Sequence, residues 1–267
     1  MTGSRRALVV ALQAALLVSV IGAWELAVRF HRLDPFFFSQ PSVFGARAVQ
    51  WLTKPGFLLG GHSIYHHLLV TMEEMAGGFF LGVTFGVAVG FLLGRSQFWS
   101  AVLNPYIQVF NALPRLVLAP IFVLLLGIDE RSKIALGFSL VFFIVFFNAY
   151  RGVRDVDRKL VNNARMLGAS ENQLAWHVLL PSAMTWILSS LHTSVGFALV
   201  GAVVGEYLAA AQGIGWIISQ AQGNFDSAGV YAGMLILCIV VVLVEFCVTW
   251  IERRLIRWKD TDETLFA

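Results

Sequence analysis

Two ionisable side chains lie within long apolar stretches and are the most distinctive chemical groups of this sequence. Arg115 lies between Pro114 and Pro120, with Asn111 one helical turn before it, and Glu206 lies near the end of another stretch. A guanidinium can bind a carboxylate or sulfonate through two parallel hydrogen bonds. Charged groups inside a membrane line a pathway or form pairs. We therefore predict that these residues belong to a translocation pathway, with a structural Arg115–Glu206 pair or interhelical hydrogen bonds as the alternative.

The other reactive side chains form no recognisable catalytic or metal site. His62 and His66 are four residues apart, beside His67, but no carboxylate or cysteine completes a ligand set, so an outer interfacial loop is the preferred interpretation. The sequence contains neither a convergent nucleophile and base nor the phosphate-binding pattern Gly-x-x-x-x-Gly-Lys-Ser/Thr. We expect no catalytic residue, metal or cofactor in this chain, and any ATP hydrolysis to occur in a separate partner.

The composition indicates a membrane protein. Of the 267 residues, 58% are hydrophobic and 13% are charged, whereas soluble domains have about 25% charged residues. About six apolar stretches are long enough to cross a hydrocarbon core that needs roughly 20 helical residues. The fold class is therefore all-α, a polytopic transmembrane protein with about six spans. The basic residues flank the apolar stretches, so the net charge of +3 reflects topology and membrane lipid rather than nucleic acid.

The first apolar stretch, Ala7 to Val28, follows Arg5 and Arg6. It is longer than the core of a signal peptide and no small-x-small cleavage site follows it. We expect a retained membrane helix, followed by an extramembrane connection from Arg29 to His67.

Glycines recur at every fourth position of the next stretch, Leu68 to Leu93. Such a repeat leaves one helix face almost without side chains, so that another helix can pack closely against it; apolar filler in a loosely packed helix is the alternative. The predicted packing residues are Gly78, Gly82, Gly86, Gly90 and Gly94.

Prolines interrupt the stretch from Ser96 to Ile128. Pro105, Pro114 and Pro120 each remove a backbone donor, and broken membrane helices occur where protein or a water-filled cavity satisfies the freed carbonyls. We therefore place this segment beside the pathway.

The distribution of basic residues favours cytoplasmic termini, because Lys and Arg are enriched in cytoplasmic loops. This orientation assigns twelve to the cytoplasm: Arg5, Arg6, Arg95, Arg151, Arg154, Arg158, Lys159, Arg165, Arg253, Arg254, Arg257 and Lys259. The outer side receives six: Arg29, Arg32, Arg47, Lys54, Arg131 and Lys133.

A long polar loop, Arg151 to Pro181, then lies in the cytoplasm. Gly168 and Ser170 indicate a break between two short helices, the second capped by Ser170. A short helix that projects from the bilayer is suited to dock into a groove on a soluble partner. On this evidence alone, an ordinary solvated loop is an equal alternative.

The segment NNARMLGASENQLAWHVLLP, Asn162 to Pro181, resembles the cytoplasmic signature of binding-protein-dependent importer permeases. The residues in register are Ala164, Arg165, Leu167, Gly168, Ala169, Ser170, Val178, Leu180 and Pro181. Two positions depart from that signature, because Asn162 replaces the opening glutamate and Asn163 the alanine that follows it. A charged contact with the ATPase is therefore in doubt, whereas the docking role of the loop is not.

The wider resemblance is to the nitrate, sulfonate and taurine branch of this family. It includes a His-Leu-x-x-Thr start at His67, Leu68 and Thr71, the pair Ser132-Lys133, and the sequence Glu-Arg-Arg from Glu252 to Arg254. Glu74 departs from the arginine that is usual there.

The resemblance implies a type I ABC importer permease fold in the bacterial inner membrane. It implies a homodimer of permeases, cytoplasmic ATPase subunits docked on the loop, and a periplasmic solute-binding protein. The expected solute is small and anionic, such as a sulfonate, taurine, nitrate or a related organic acid; an uncharged or cationic vitamin precursor is the alternative. The corresponding division is 1–67 for the first helix and its connection, 68–251 for the permease core with the coupling loop 151–181, and 252–267 for a cytoplasmic tail.

Overall fold

The computed structural model describes residues 3–54 and 62–255, and these form helices without any strand. The helices are α1 Gly3–Arg29, α2 Pro35–Phe38, α3 Pro41–Thr53, α4 Ile64–Arg95, α5 Gln97–Ala112, α6 Ala119–Leu126, α7 Glu130–Arg154, α8 Arg158–Met166, α9 Glu171–Leu174, α10 Leu180–Leu208, α11 Ile214–Gly223 and α12 Ser227–Leu255. A 3₁₀ turn, Arg115–Leu118, precedes α6, and a π-helical turn, Ala175–Leu179, joins α9 to α10.

Five helical segments of the described chain are long and apolar enough to cross a membrane, and a bent pair makes a sixth. The five are Leu8–Arg29, Ile64–Arg95, Glu130–Arg154, Glu171–Leu208 and Ser227–Trp250. The bent pair is Gln97–Ala112 with Arg115–Leu126, whose axes meet at 84°. The expected fold class is therefore confirmed, and the five spans, or six if the bent pair is one span, agree with the expected number of about six.

The three prolines of the bent pair have different effects. Pro105 lies inside α5, which continues through it. Leu113 and Pro114 have extended backbones at the break, and Pro120 lies in the first turn of α6, where a missing N–H is tolerated. The sharp bend therefore occurs at Pro114.

The glycine face of α4 packs directly against α7. A Cβ added at Gly82 would lie 2.6 Å from Cβ of Val141, and one added at Gly90 would lie 2.6 Å from the carbonyl oxygen of Phe146. All five glycines of the repeat are buried. Helices with side chains at these positions could not approach so closely. Small residues at helix interfaces in membranes have this physical role, because they allow the two backbones to come close together.

The same principle joins α7 to α10. A Cβ at Gly201 of α10 would lie 2.5 Å from Cα of Gly137, and Gly137 also faces Gly78 of α4. Three glycines from three helices thus meet at one point. Val141, Val145 and Ala198 continue this contact as a buried apolar cluster.

A second apolar cluster holds α3 and α11 across one end of the bundle. Ala48, Ile64, Ile217 and Ile236 belong to it, and they come from α3, α4, α11 and α12. By contrast, α1 exposes most of its apolar side chains, including Leu12, Leu16 and Val18. Glu25 near its end accepts hydrogen bonds from the backbone N–H (3.0 Å) and hydroxyl (2.8 Å) of Ser42.

The extramembrane connection predicted from Arg29 to His67 ends earlier in the structure, because α4 already begins at Ile64. The hydroxyl of Ser63 caps α4, so the helix begins at Ile64 and contains His66 and His67. The predicted boundary at residue 68 therefore falls inside a helix. Most of the predicted tail, 256–267, and the Gly60-Gly61 pair lie outside the described residues.

Candidate functional site

The polar loop between α7 and α10 is shorter than its composition suggests. α7 extends to Arg154, and the chain is helical without interruption from Glu171 through the π-helical turn into α10. Val178 and Leu180 therefore lie in continuous helix, with Pro181 in the first turn of α10. The part between the long helices is reduced to residues 155–170, with α8 inside it.

The turn between α8 and α9 has two well-defined features. Gly168 has φ +84°, a left-handed conformation that glycine adopts without a steric penalty. Ser170 caps α9 in a reciprocal capping box with Gln173, as predicted for this serine. Arg165 bridges the two helices through an ion pair of 3.1 Å with Glu171. The chain thus forms a fixed corner between two short helices.

The corner exposes apolar side chains. Met166 is 80% exposed and Leu167 is 89% exposed. The backbone N–H of Leu167 donates a hydrogen bond to the carbonyl oxygen of Asn163, and the N–H of Ala169 donates one to the carbonyl oxygen of Ala164. Backbone hydrogen bonds therefore hold the exposed apolar tip in place, which is suitable for a protein partner.

Arg115 lies at the bend between α5 and α6. Its guanidinium donates to the side-chain oxygen of Asn111 at 2.9 Å and lies 4.7 Å from the ring centre of Phe143 in α7. Its Nε–H is buried and has no hydrogen-bond partner in the part of the chain described. The alternative ion pair of Arg115 with Glu206 is absent from the described residues.

Glu206 is instead fully buried near the C-terminal end of α10. It accepts hydrogen bonds from the hydroxyl of Thr71 at 2.6 Å and from the backbone N–H of Gly215 at 2.7 Å. The carboxylate therefore fastens the start of α11 to α10 and α4. Gly213, with φ +101°, makes this approach possible because a side chain there would collide with the Glu206 carboxyl group.

His67 and Thr71 complete this fastening from α4. Nδ1 of His67 accepts the N–H of Gly213 at 3.1 Å, and the Thr71 oxygen accepts the N–H of Ile214 at 3.0 Å. The His67 ring also stacks on Trp216, with centroids 5.5 Å apart. His67 is thus a buried structural residue, and the outer-loop interpretation of this histidine is wrong.

Two further charged groups lie beside Glu206. Glu74 is 3% exposed and interacts with Glu206 through its carboxyl group. Lys133 is 1% exposed, yet its ammonium bonds to the carbonyl oxygens of Ile128 and Asp129 and forms no ion pair within 4.0 Å in the described chain. The group therefore has two buried carboxyl groups and one ammonium, which interact across the junction of α4, α7 and α10.

A pocket of about 270 Å³ opens next to these charges. Glu74, Asp129, Glu130, Arg131, Lys133 and Gln212 contribute to its lining. Arg115 is absent from the residues that line it. Glu206 does not line it either, although its neighbours Glu74 and Lys133 do.

Sequence reasoning did not single out Lys133, Thr71 or His67 as buried polar groups. Lys133 stands in a polar run, Asp129 to Lys133, and its helix begins at Glu130. The available signal was the spacing of His67, Thr71 and Glu74, since residues three and four apart share one helix face.

Comparison with known proteins identifies a family match. The family described as binding-protein-dependent transport system inner membrane component matches residues 82–257. The putative aliphatic sulfonates transport permease protein SsuC of Bacillus subtilis is 35% identical over 212 residues, which is 79% of this chain and 76% of that protein.

Two other relatives have names that refer to different solutes. The taurine transport system permease protein TauC of Escherichia coli is 28% identical, over 93% of this chain and 90% of its own. The formylaminopyrimidine transport permease protein ThiX of Halalkalibacterium halodurans is 28% identical, over 88% and 91%.

Among solved structures, an inward-facing MetNI methionine ABC transporter contains a similar chain. The TM-score is 0.60 with 19% identity, over 70% of this chain and 93% of that one. At this identity the similarity concerns the fold, and it agrees with the type I importer permease architecture.

Proposed function

Since the chain belongs to the binding-protein-dependent transport system inner membrane component family, it is the membrane-spanning permease of an ATP-driven importer, and we propose that its α8–α9 corner couples it to the ATPase. ATP hydrolysis belongs to a separate subunit. The observation that carries the proposal is the rigid corner at Gly168 with the exposed Met166 and Leu167 at its tip.

The coupling corner transmits force because it is continuous with a spanning helix. α9 runs through the π-helical turn into α10 without a break. A displacement of the corner by the ATPase therefore moves the base of α10, where Ala183 packs against Gly152 of α7. The proposed docking residues are Asn162, Asn163, Ala164, Arg165, Gly168, Ala169 and Ser170.

Gly168→Ala tests this role because it changes the backbone without creating a collision. No atom lies within 4 Å of an added Cβ at Gly168, so the only penalty is the left-handed conformation, about 1–2 kcal/mol for a residue other than glycine. We expect about 5- to 30-fold weaker retention of a candidate ATPase by the purified permease, since 1.4 kcal/mol corresponds to tenfold. Gly168→Asn should retain more ATPase because asparagine tolerates this conformation.

Gly196→Ala is the matched control. Gly196 lies in α10, an added Cβ again meets nothing within 4 Å, and its φ is not in the left-handed region. It should retain the ATPase as the unchanged protein does. Equal retention by Gly168→Ala and Gly196→Ala would exclude the corner as the coupling element.

We further propose that the solute is a small anion, such as a sulfonate, that passes Arg115. This rests on the unpaired Nε–H of Arg115, on its position at the broken α5–α6 pair, and on the relatives named for sulfonate and taurine transport. The proposed pathway residues are Asn111, Pro114, Arg115 and Pro120. Glu206, included in the sequence-based pathway, is better assigned to fastening α11 in this state.

The solute proposal is testable by uptake into proteoliposomes that contain the complete transporter and its binding protein. Arg115→Gln should reduce uptake of an alkanesulfonate more than Arg115→Lys, because lysine keeps the positive charge but loses the paired donors. If both variants transport the anion normally, or if only an uncharged pyrimidine is transported, the anionic proposal fails while the permease assignment stands.

The proposed assembly is a permease homodimer with two ATPases and a periplasmic binding protein, in the bacterial inner membrane. The termini are proposed to lie in the cytoplasm, which places α8 and α9 on the ATPase side. The excess of basic residues on that side supports this orientation.

A further inference from the structure

A basic pocket of about 380 Å³ lies between the ends of the spanning helices and the loop helices. Its polar lining comprises Arg95, Gln97, Arg154, Arg158, Asn162 and Arg165, together with Glu171. These residues come from the α4–α5 junction, the end of α7, α8 and α9. Separate chain segments thus bring four guanidinium groups to one cavity.

The positive charge of the basic pocket is mostly unneutralised. Glu171 is its single acidic lining residue, and it pairs with Arg165 at 3.1 Å. Arg154 donates to the Ser100 hydroxyl at 3.1 Å and lies 5.7 Å from the ring centre of Tyr150. Arg95 and Arg158 form no ion pair among residues 3–54 and 62–255. The lining of the pocket therefore carries a net positive charge.

The basic pocket lies at the level where the spans leave the bilayer. Arg95 is the last residue of α4, Arg154 is the last residue of α7, and Gln97 is the first residue of α5. Beside Gln97, the side chains of Phe98 and Trp99 are largely exposed. Exposed aromatic rings at the end of a spanning helix are typical of the headgroup region.

We propose that the basic pocket binds the phosphate-bearing headgroup of an anionic membrane lipid. Guanidinium groups bind phosphate oxygens through paired, charge-assisted hydrogen bonds, and basic pockets between membrane helices bind such headgroups. Phe98 and Val102 lie one turn apart on α5, which begins at the pocket with Gln97, and both side chains are exposed. They provide a surface for the acyl chains, which a soluble phosphate would not use.

The basic pocket adjoins the surface proposed to contact the ATPase and shares Asn162 and Arg165 with it, but it does not include the exposed tip of the corner. Met166 and Leu167 form that tip and do not line the pocket, whereas Gly94, Val153 and Leu179 at the ends of three spanning segments do. A lipid seated there would connect α4, α7 and the loop helix α8. The topology of a membrane protein explains an excess of basic residues on one side of the membrane. It does not require that four arginines line the same cavity.

Native mass spectrometry of the transporter with its ATPase can test the site. The protein is purified in mild detergent, supplied with phosphatidylglycerol or phosphatidylcholine, and the lipid retained per permease is counted. Arg95→Gln with Arg158→Gln should weaken phosphatidylglycerol binding about 30-fold, since each arginine near an anionic lipid contributes about fivefold. Phosphatidylcholine retention should be low and unchanged.

Two further variants make the result specific. Arg29→Gln with Arg32→Gln removes the same charge at the opposite end of the spans and should leave binding unchanged. Arg95→Lys with Arg158→Lys keeps the charge, so it should bind phosphatidylglycerol with intermediate affinity, and it provides a folded reference if the glutamine variant is unstable.

Three outcomes would overturn the proposal. The first is phosphatidylglycerol binding that is the same in the Arg95/Arg158 glutamine variant and the unchanged protein. The second is full displacement of the lipid by millimolar inorganic phosphate, which would identify a site for free phosphate. The third is loss of the ATPase without loss of lipid, which would assign the pocket to the protein interface. The same spectra report how many ATPase subunits remain bound to the permease. That number distinguishes a failure of the lipid proposal from a failure of the proposal that the corner binds the ATPase.

Discussion

Replacing Gly82 with alanine is the most direct test of the α4–α7 packing. The added Cβ would lie 2.6 Å from both Cβ and Cγ1 of Val141 and 3.0 Å from the backbone nitrogen of Phe142. Because Val141 is itself fully buried, it has no free space into which it can move. The helices must therefore separate or shift, and overpacking of this kind typically costs about 1–3 kcal/mol.

The helix propensity of alanine acts in the opposite direction, by about 1 kcal/mol relative to glycine. Gly196→Ala shares that gain but meets nothing within 4 Å, so the difference between the two variants isolates the packing penalty. We expect Gly82→Ala to unfold at a temperature lower than Gly196→Ala by a few degrees to about 10 °C, at about 2–4 °C per kcal/mol.

Thermal unfolding of both variants in the same detergent, followed by tryptophan fluorescence, measures this difference. Val141→Ala combined with Gly82→Ala removes the colliding Cγ1 methyl group but keeps the Cβ, so it should recover only part of the loss. Equal unfolding temperatures for Gly82→Ala and Gly196→Ala would refute the close approach of α4 and α7.

Three further predictions concern the buried charges and the corner. Glu206→Ala leaves the Gly215 N–H and the Thr71 hydroxyl without their acceptor, which destabilises the fold by about 1–3 kcal/mol for each buried group. It should therefore lower the unfolding temperature more than Glu206→Gln does. An equal effect of the two variants would contradict the role of Glu206 in holding α11. Glu74→Gln should leave stability unchanged or higher, because the amide can donate to Glu206 where two carboxyl groups now meet; a large loss in the same melting assay would show that Glu74 carries a required charge. Ser170→Ala removes the α9 capping box, about 1 kcal/mol, and should weaken ATPase retention while the melting temperature of the spans stays the same; retention equal to that of the unchanged protein would argue against the corner.

Local patterns in the sequence were enough to predict the fold class, the spans and a broken helix in the proline-rich segment, whereas the structure decided that the break is at Pro114 and not at Pro105 or Pro120. These features depend on residues that are neighbours along the chain. The length of an apolar stretch, a fourth-residue glycine repeat and a proline each act through the helix that contains them. The same reasoning predicted the cap at Ser170, because a capping hydroxyl bonds to the backbone only three residues ahead.

Pairings between distant residues required the tertiary structure. The sequence marks Glu206 as a costly charge, but only the crossing of α4, α10 and α11 shows that Thr71 and Gly215 bond to it. Gly137 and Gly201 belong to no repeat, yet they form a close contact between α7 and α10 because folding brings their positions together. In the same way, the four arginines of the basic pocket are separate positive charges in the sequence. The ends of α4 and α7 and the helix α8 meet around one cavity. The distances between the arginines are therefore set by helix packing rather than by their separation along the chain.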